Sequence, residues 1–321
     1  MRNLLFGFAF AAAVASAGTA WPQAWPAKPI RAIVPSTAGS AVDIIPRIVF
    51  EQLSAELGQP IIVENRPGAG GVTAAASVAR AEPDGYTILV DSSAHTVLPS
   101  LYPNAPYDTV RDFSGIILLG SLPNVLVVAP SKGFKTLQEL VGAARAKPGA
   151  VTYASAGVGS ATHFSAERLR LSAGFEAVHV PFKGAPEAYT EVMTGRVDFF
   201  FGALASALPF IRDNRLVPLA VSTPKRASVL PDVPTTLEAG FVDSDYTFWI
   251  GLFAPARTPA AIVDKLHQQA HKALQAARVR DKLATLGVEP MVMSAAELDA
   301  LVKAEIAVNA AVIKAANIKA E

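Results

Sequence analysis

Apolar residues fill positions 30–34 almost without interruption, then thin out to Ile45, Ile48, Val49, Leu53 and Leu57. The first pattern is that of a buried strand. The second recurs every three or four residues, which is one face of a helix. The same alternation continues down the chain. Strands are predicted at 61–63, 86–90, 115–119, 125–129, 151–153, 177–180, 197–202, 216–221 and 248–255. Helices are predicted at 72–81, 136–146 and 164–171, around Tyr189 and Met193 up to Gly195, briefly at 237–240, and over most of the chain after 255, where Ile262, Leu266 and Ala270 share a face and 295–316 continues the pattern. Thr136 with Glu139 reads as a capping box. Pro46 is unwelcome beyond a first turn, so the opening helix either begins near Asp43 or is kinked.

Strands that alternate with helices predict parallel pairing through right-handed crossovers, hence an α/β fold. Ligands in such sheets sit beyond the carboxyl ends of the strands. Two strand-to-helix turns there are built from glycine and small hydroxyl residues. One holds Ser36, Thr37, Ala38, Gly39 and Ser40; the other runs through Ala156, Gly159, Ser160 and Thr162. The first amides of a helix have no partner inside it and lie at the positive end of its dipole, so each turn is a candidate anion site. No lysine follows the glycine as in a phosphate-gripping loop, and a carboxylate suits the site better than a nucleotide. Ser92 and Ser93 follow another strand at the same edge. Two groups of α/β units, each with such a turn, predict two lobes facing a cleft.

Composition sharpens this picture. The 321 residues are 51% apolar and 17% charged, enough for roughly two domains. Arg2 followed by an uncharged run into small residues reads as an export signal over 1–20, cleaved after Ala17 or Ala20. The run is too short for a preferred membrane span. The leader carries Arg2 as its one charge, so 28 basic and 27 acidic residues become balanced once it is removed. A nucleic-acid binder would carry a basic excess. With no cysteine there is no disulfide, no thiolate chemistry and no lipid-anchored cysteine. An exported, soluble, unanchored protein is the expectation.

Several motifs together resemble one family. They are Val63-Glu64-Asn65-Arg66-Pro67-Gly68-Ala69-Gly70-Gly71, Pro83-Asp84-Gly85-Tyr86-Thr87, Tyr153-Ala154-Ser155-Ala156-Gly157-Val158-Gly159-Ser160 and Val180-Pro181-Phe182-Lys183-Gly184. Leu208-Pro209, Val233-Pro234-Thr235 and Trp249-Ile250-Gly251 before Ala254-Pro255 complete the set, which spans nearly the whole mature chain. The chain is thereby identified as similar to the extracytoplasmic solute receptors of tripartite tricarboxylate transporters, the Bug or TctC family. The resemblance implies a two-domain periplasmic-binding-protein fold, type II-like, with two crossover strands as a hinge at about 125–129 and 248–254. Domain one would comprise 28–125 plus 245–321, and domain two 126–244. It further implies a monomer that binds a small carboxylate without a cofactor or metal, delivers it to large and small integral membrane subunits, and does not bind nucleic acid. The two turns named above would be the ligand loops. Two departures stand out: the first turn lacks the family's Pro-Gly-Gly, and Gly202 stands where members commonly carry Asp. The missing carboxylate favours a non-amino organic acid.

Plainer roles compete for several residues. His95 and His163 either touch the ligand or tie down their loops, and the second role weighs more. Asp43 reads as a helix cap before an orienter of the first turn. Lys183 either balances a carboxylate or is simply exposed. Phe199, Phe200 and Phe201 read as core, with Phe201 a possible lining ring, and Trp249 reads as interdomain packing. Residues 65–71 read as structural, their glycines letting helix approach strand. An exported hydrolase would need a nucleophile, and neither a His-Glu-x-x-His pair nor a Gly-x-Ser-x-Gly elbow occurs; a triad of distant residues is not visible in a sequence. A sensor that shows its closed form to a signalling partner would share the same binding chemistry.

Overall fold

The computed structural model describes residues 25–320, so the expected leader lies outside the described residues. In chain order the elements are β1 (Ile30–Val34), α1 (Ala41–Leu57), β2 (Ile61–Asn65), α2 (Val72–Ala79), β3 (Thr87–Ser92), α3 (Leu98–Leu101) and β4 (Phe113–Val128). Then come α4 (Leu137–Ala146), β5 (Thr152–Ser155), α5 (Ala161–Ala173), β6 (Val178–Pro181), α6 (Ala185–Met193), β7 (Phe199–Ala203), α7 (Leu204–Arg212) and β8 (Val217–Val221). The chain closes with β9 (Thr247–Pro255), α8 (Ala260–Gln275), α9 (Ala277–Thr285) and α10 (Ala295–Ala316).

The strands make two sheets that share β4. In the first, the order β2-β1-β3-β9-β4 is parallel through β1, β2 and β3, and β9 runs antiparallel between β3 and β4. In the second, the far end of β4 pairs antiparallel with β7 and β8, and β5 lies parallel to β6 and β7. The parallel strands are those whose connections contain helices. The antiparallel ones are where the chain passes between sheets.

That passage corrects the sequence expectation of two strands at 115–119 and 125–129. They are one 16-residue strand, because Ser121, Leu122 and Pro123 stay paired with β9 and Asn124 then pairs across to Ala203 of β7. Gly120 makes this possible: at φ +147 a Cβ would sit 2.6 Å from Val288 and 2.8 Å from the Glu289 carbonyl, and Ser121 pairs with Glu289. The switch point is stapled by hydrogen bonds. The Asn124 amide donates to Ser222 Oγ, the Ser222 amide to the Asn124 carbonyl, and the Tyr246 amide to the Ser222 carbonyl. The Asn124 side chain donates to Ser165 Oγ at 2.8 Å and to the Ala161 carbonyl at 3.3 Å.

Three smaller expectations also change. Helix α1 begins at Ala41, so Pro46 stands in its second turn rather than near its start. Residues 237–240 form a turn and not a helix, although Thr235 and Glu238 exchange the reciprocal bonds of a cap. Trp249 lies within the first sheet's core beside Phe253 and Leu298, and its indole donates to Glu305 of α10. The same Glu305 and Asn309 meet Thr96, so α10 supports the turn Ser93–Thr96 from below. Among the described residues, no helix is long and apolar enough to cross a membrane.

Candidate functional site

Three helices start on the wall of one cavity. Ala41, Ala161 and Ala185 are the first residues of α1, α5 and α6, and all three line it. The cavity is about 670 Å³ and lies between the carboxyl ends of the two sheets. The three helix entrances are capped differently. At α1, the Ser40 hydroxyl caps nothing; it pairs with Ser36 Oγ at 2.5 Å, and both serines face the cavity. At α5, Ser160 Oγ accepts from the His163 amide and pairs with Thr162 Oγ1 at 2.9 Å. Thr162 in turn accepts from the Ala156 amide. At α6, Gly184 is the cap residue and brings no side chain at all. The first-turn amides of three helices therefore converge with a set of hydroxyls, which is chemistry for anionic oxygen.

The first turn is held by Asp43. Its carboxylate accepts from the Gly39 amide, Arg47 and Asn65. Burial pushes this carboxyl up, but those hydrogen bonds outweigh it and hold it below the usual range. Asp43 thus holds the first turn in place, in addition to standing in the first turn of α1 where capping is expected.

The other wall residues are less polar. Tyr102, Phe182, Phe248, Val42 and Val158 line the cavity, with Asp91 and Lys183 as its charged members. Asp91 is tied to the Ser92 amide and to His95 Nδ1 at 3.1 Å.

Of the residues that the sequence singled out, Ser36, Ser40, Ser92, Ala156, Ser160 and Thr162 line the cavity. Thr37, Ala38 and Gly39 belong to the first turn but do not line the cavity, and Gly39 lies 3.8 Å (from a built Cβ) from Pro186 across the cleft. Ser93 and His95 are buried beneath the floor, His95 between Phe113 and Phe253. Gly159 sits against Leu101, and His163 accepts from the Gly159 amide at 3.2 Å. Phe201 is fully buried in the second sheet's core. Residues 67–71, read as structural, form part of the wall. Gly202 is buried, and a Cβ there would lie 2.6 Å from the Tyr189 ring, so that tyrosine fills the space an acid at 202 would need.

Behind the second turn, His163 stacks on His179 at 4.0 Å, and His179 bonds Ser155 Oγ. Burial above all, then the neighbouring His179 and Arg170, pulls His163 from 6.5 down to about 3. Burial pulls His179 down to about 4. Both are neutral in the fold at pH 7, and the unfolded chain binds more protons below about 6.5. Their stability contribution is complete above that pH and is lost as pH falls through 4 towards 3. The melting temperature should drop steeply between pH 6 and 4 in circular dichroism, and His179→Gln should flatten the drop. An unchanged profile in that variant would sink the assignment.

The chain can now be compared with known proteins. Residues 45–318 match the model of the tripartite tricarboxylate transporter family receptor, TctC. The chain belongs to that receptor family. Members are solute-binding receptors, not enzymes, and the two-domain fold is theirs. Across 289 residues the receptor is 37% identical to the UPF0065 protein in the tcbD-tcbE intergenic region of Pseudomonas sp. (strain P51), covering 90% of this chain and 86% of that protein. Among solved structures it resembles R. palustris Rpa4515 with adipate, at a TM-score of 0.88 and 32% identity over 92% of this chain and 99% of that one. It also resembles MatC from Rhodopseudomonas palustris with bound malate, at a TM-score of 0.85 and 32% identity over 90% and 99%.

Proposed function

We propose that the receptor captures a small organic carboxylate in the periplasm and delivers it to a tripartite tricarboxylate-type membrane transporter. The convergence of the α1, α5 and α6 entrances on one cavity carries this reading, since it supplies anion-binding donors from both sheets to a single guest. The adipate and malate in two similar proteins support the ligand class. A carboxylate docks on the amides of α1 and the Ser36–Ser40 hydroxyl pair, and the second turn with Ser160 and Thr162 completes the cage. The division proposed is 28–125 plus 245–321 against 126–244, with the crossing near Asn124 and Tyr246 flexing as a hinge. Export through a leader over 1–20, without a lipid anchor, and docking of the closed monomer on the membrane subunits follow from the same reading. With Tyr189 over Gly202, the guest is a non-amino acid.

The test is a thermal-shift screen of protein starting at Trp21 against adipate, malate, tricarboxylates, amino acids and sugars. A ligand at a thousand times its Kd adds about 4 kcal/mol of stability. A rise confined to one carboxylate class is the expected outcome; amino acids that matched it would overturn the ligand assignment.

A further inference from the structure

The two lobes touch where side chains are missing. A Cβ on Gly70 would lie 2.8 Å from the Val158 carbonyl of the opposite lobe, and one on Gly159 would lie 2.6 Å from Leu101. At both positions φ is positive, +63 and +82, so the glycine also serves its own lobe. Gly184 is different. Its backbone is extended, with φ −178 and ψ 170, a conformation open to any residue. The three atoms nearest a built Cβ there all belong to Thr37, whose Oγ1 it would overlap and whose Cβ and Cγ2 would lie 3.0 Å away.

Thr37 completes the argument from its own side. Among the described residues its hydroxyl is buried without a hydrogen-bond partner, and the residue does not line the cavity. What it does is fill the gap above Gly184. The neighbours of the pair are wall residues on both sides: Ser36 and Ser40 around Thr37, Phe182, Lys183 and Ala185 around Gly184.

We propose that Thr37 and Gly184 are positioning residues for closure: the bare position at 184 is a socket for Thr37, and only with it empty can the α1 and α6 entrances meet over the same guest. They act on affinity without touching the ligand. The proposal rests on the receptor reading above for the meaning of affinity, but the contact itself can be read without any ligand.

The chain has no cysteine, so a Thr37→Cys/Gly184→Cys variant carries the one thiol pair. The Cβ separation is slightly below that of a disulfide, which a small adjustment restores. Mild oxidation should join the pair within one chain, seen as altered migration on a non-reducing gel that neither single variant shows. Absence of the crosslink would overturn the contact. Separately, Gly184→Ala should keep the melting temperature of the ligand-free parent and weaken binding of adipate or malate by about tenfold or more, because closed states become rare. Thr37→Gly/Gly184→Ala should regain affinity, since the new methyl finds the space that Thr37 leaves. Parent-like affinity in Gly184→Ala, or no recovery in the double variant, would refute the socket. If the parent binds no acid of the screen, the carboxylate reading fails, and the crosslink still decides whether the two turns meet.

Discussion

Ala156→Trp should abolish carboxylate binding while the protein folds as before. Ala156 stands on the cavity wall, half-buried, and contributes only its methyl and an amide that donates to Thr162. An indole there projects into the space that the guest needs, and no cap or core contact is removed. Isothermal titration with the carboxylate found by screening should show no heat up to millimolar concentration. The ligand-free melting temperature should stay within about 3 °C of the parent, as expected for a change that removes no buried contact. Retained affinity would mean that the guest lies elsewhere. A comparable change at Ser160 would be harder to read, since its hydroxyl caps α5 and losing it costs about 1 kcal/mol by itself.

Asn124→Ala should cost stability and affinity together. The side chain is fully buried and donates two hydrogen bonds, one to Ser165 Oγ and one to the carbonyl of Ala161, the residue that opens α5 on the cavity wall. Alanine removes both donors and leaves a cavity, a loss of about 2–3 kcal/mol. Because the backbone of Asn124 is the point where β4 changes sheets, loosening its side chain also frees the α5 entrance relative to the hinge. Urea denaturation should give the lower midpoint, and titration should give a weaker Kd. Lower stability with unchanged affinity would show that the hinge does not hold the α5 entrance.

How much of this was legible in the sequence depends on how local its cause is. The strand-helix alternation is a matter of residue spacing, and β1, β3, β5 and β7 fall where the apolar runs place them. The turns at Ser36 to Ser40 and Ala156 to Thr162 stand out because hydroxyls and glycines cluster directly before a helical stripe. The wall at 67–71 and the α6 entrance do not, because a glycine that lets backbone approach backbone looks the same whether the neighbour is a strand or a ligand. The apolar pattern divides Phe113–Val128 at Gly120 to Asn124 for a related reason. Those residues resemble a break, and only pairing with β9 on one side and β7 on the other, both distant in sequence, keeps them extended. Thr37 reads as one more hydroxyl of an anion loop; its contact with Gly184 exists only once the two lobes meet.

The place of β9 has a consequence for how the chain reaches its native state. This strand lies between β3 and β4, yet it is made about 120 residues after β4 ends. Until it arrives, the facing edges of β3 and β4 are bare, and β4 can offer only its far half to the second sheet. The first sheet therefore closes only after residues 247–255 are made, later than every strand of the second sheet. Chains that end before Thr247 lack β9 and leave both edges unpaired.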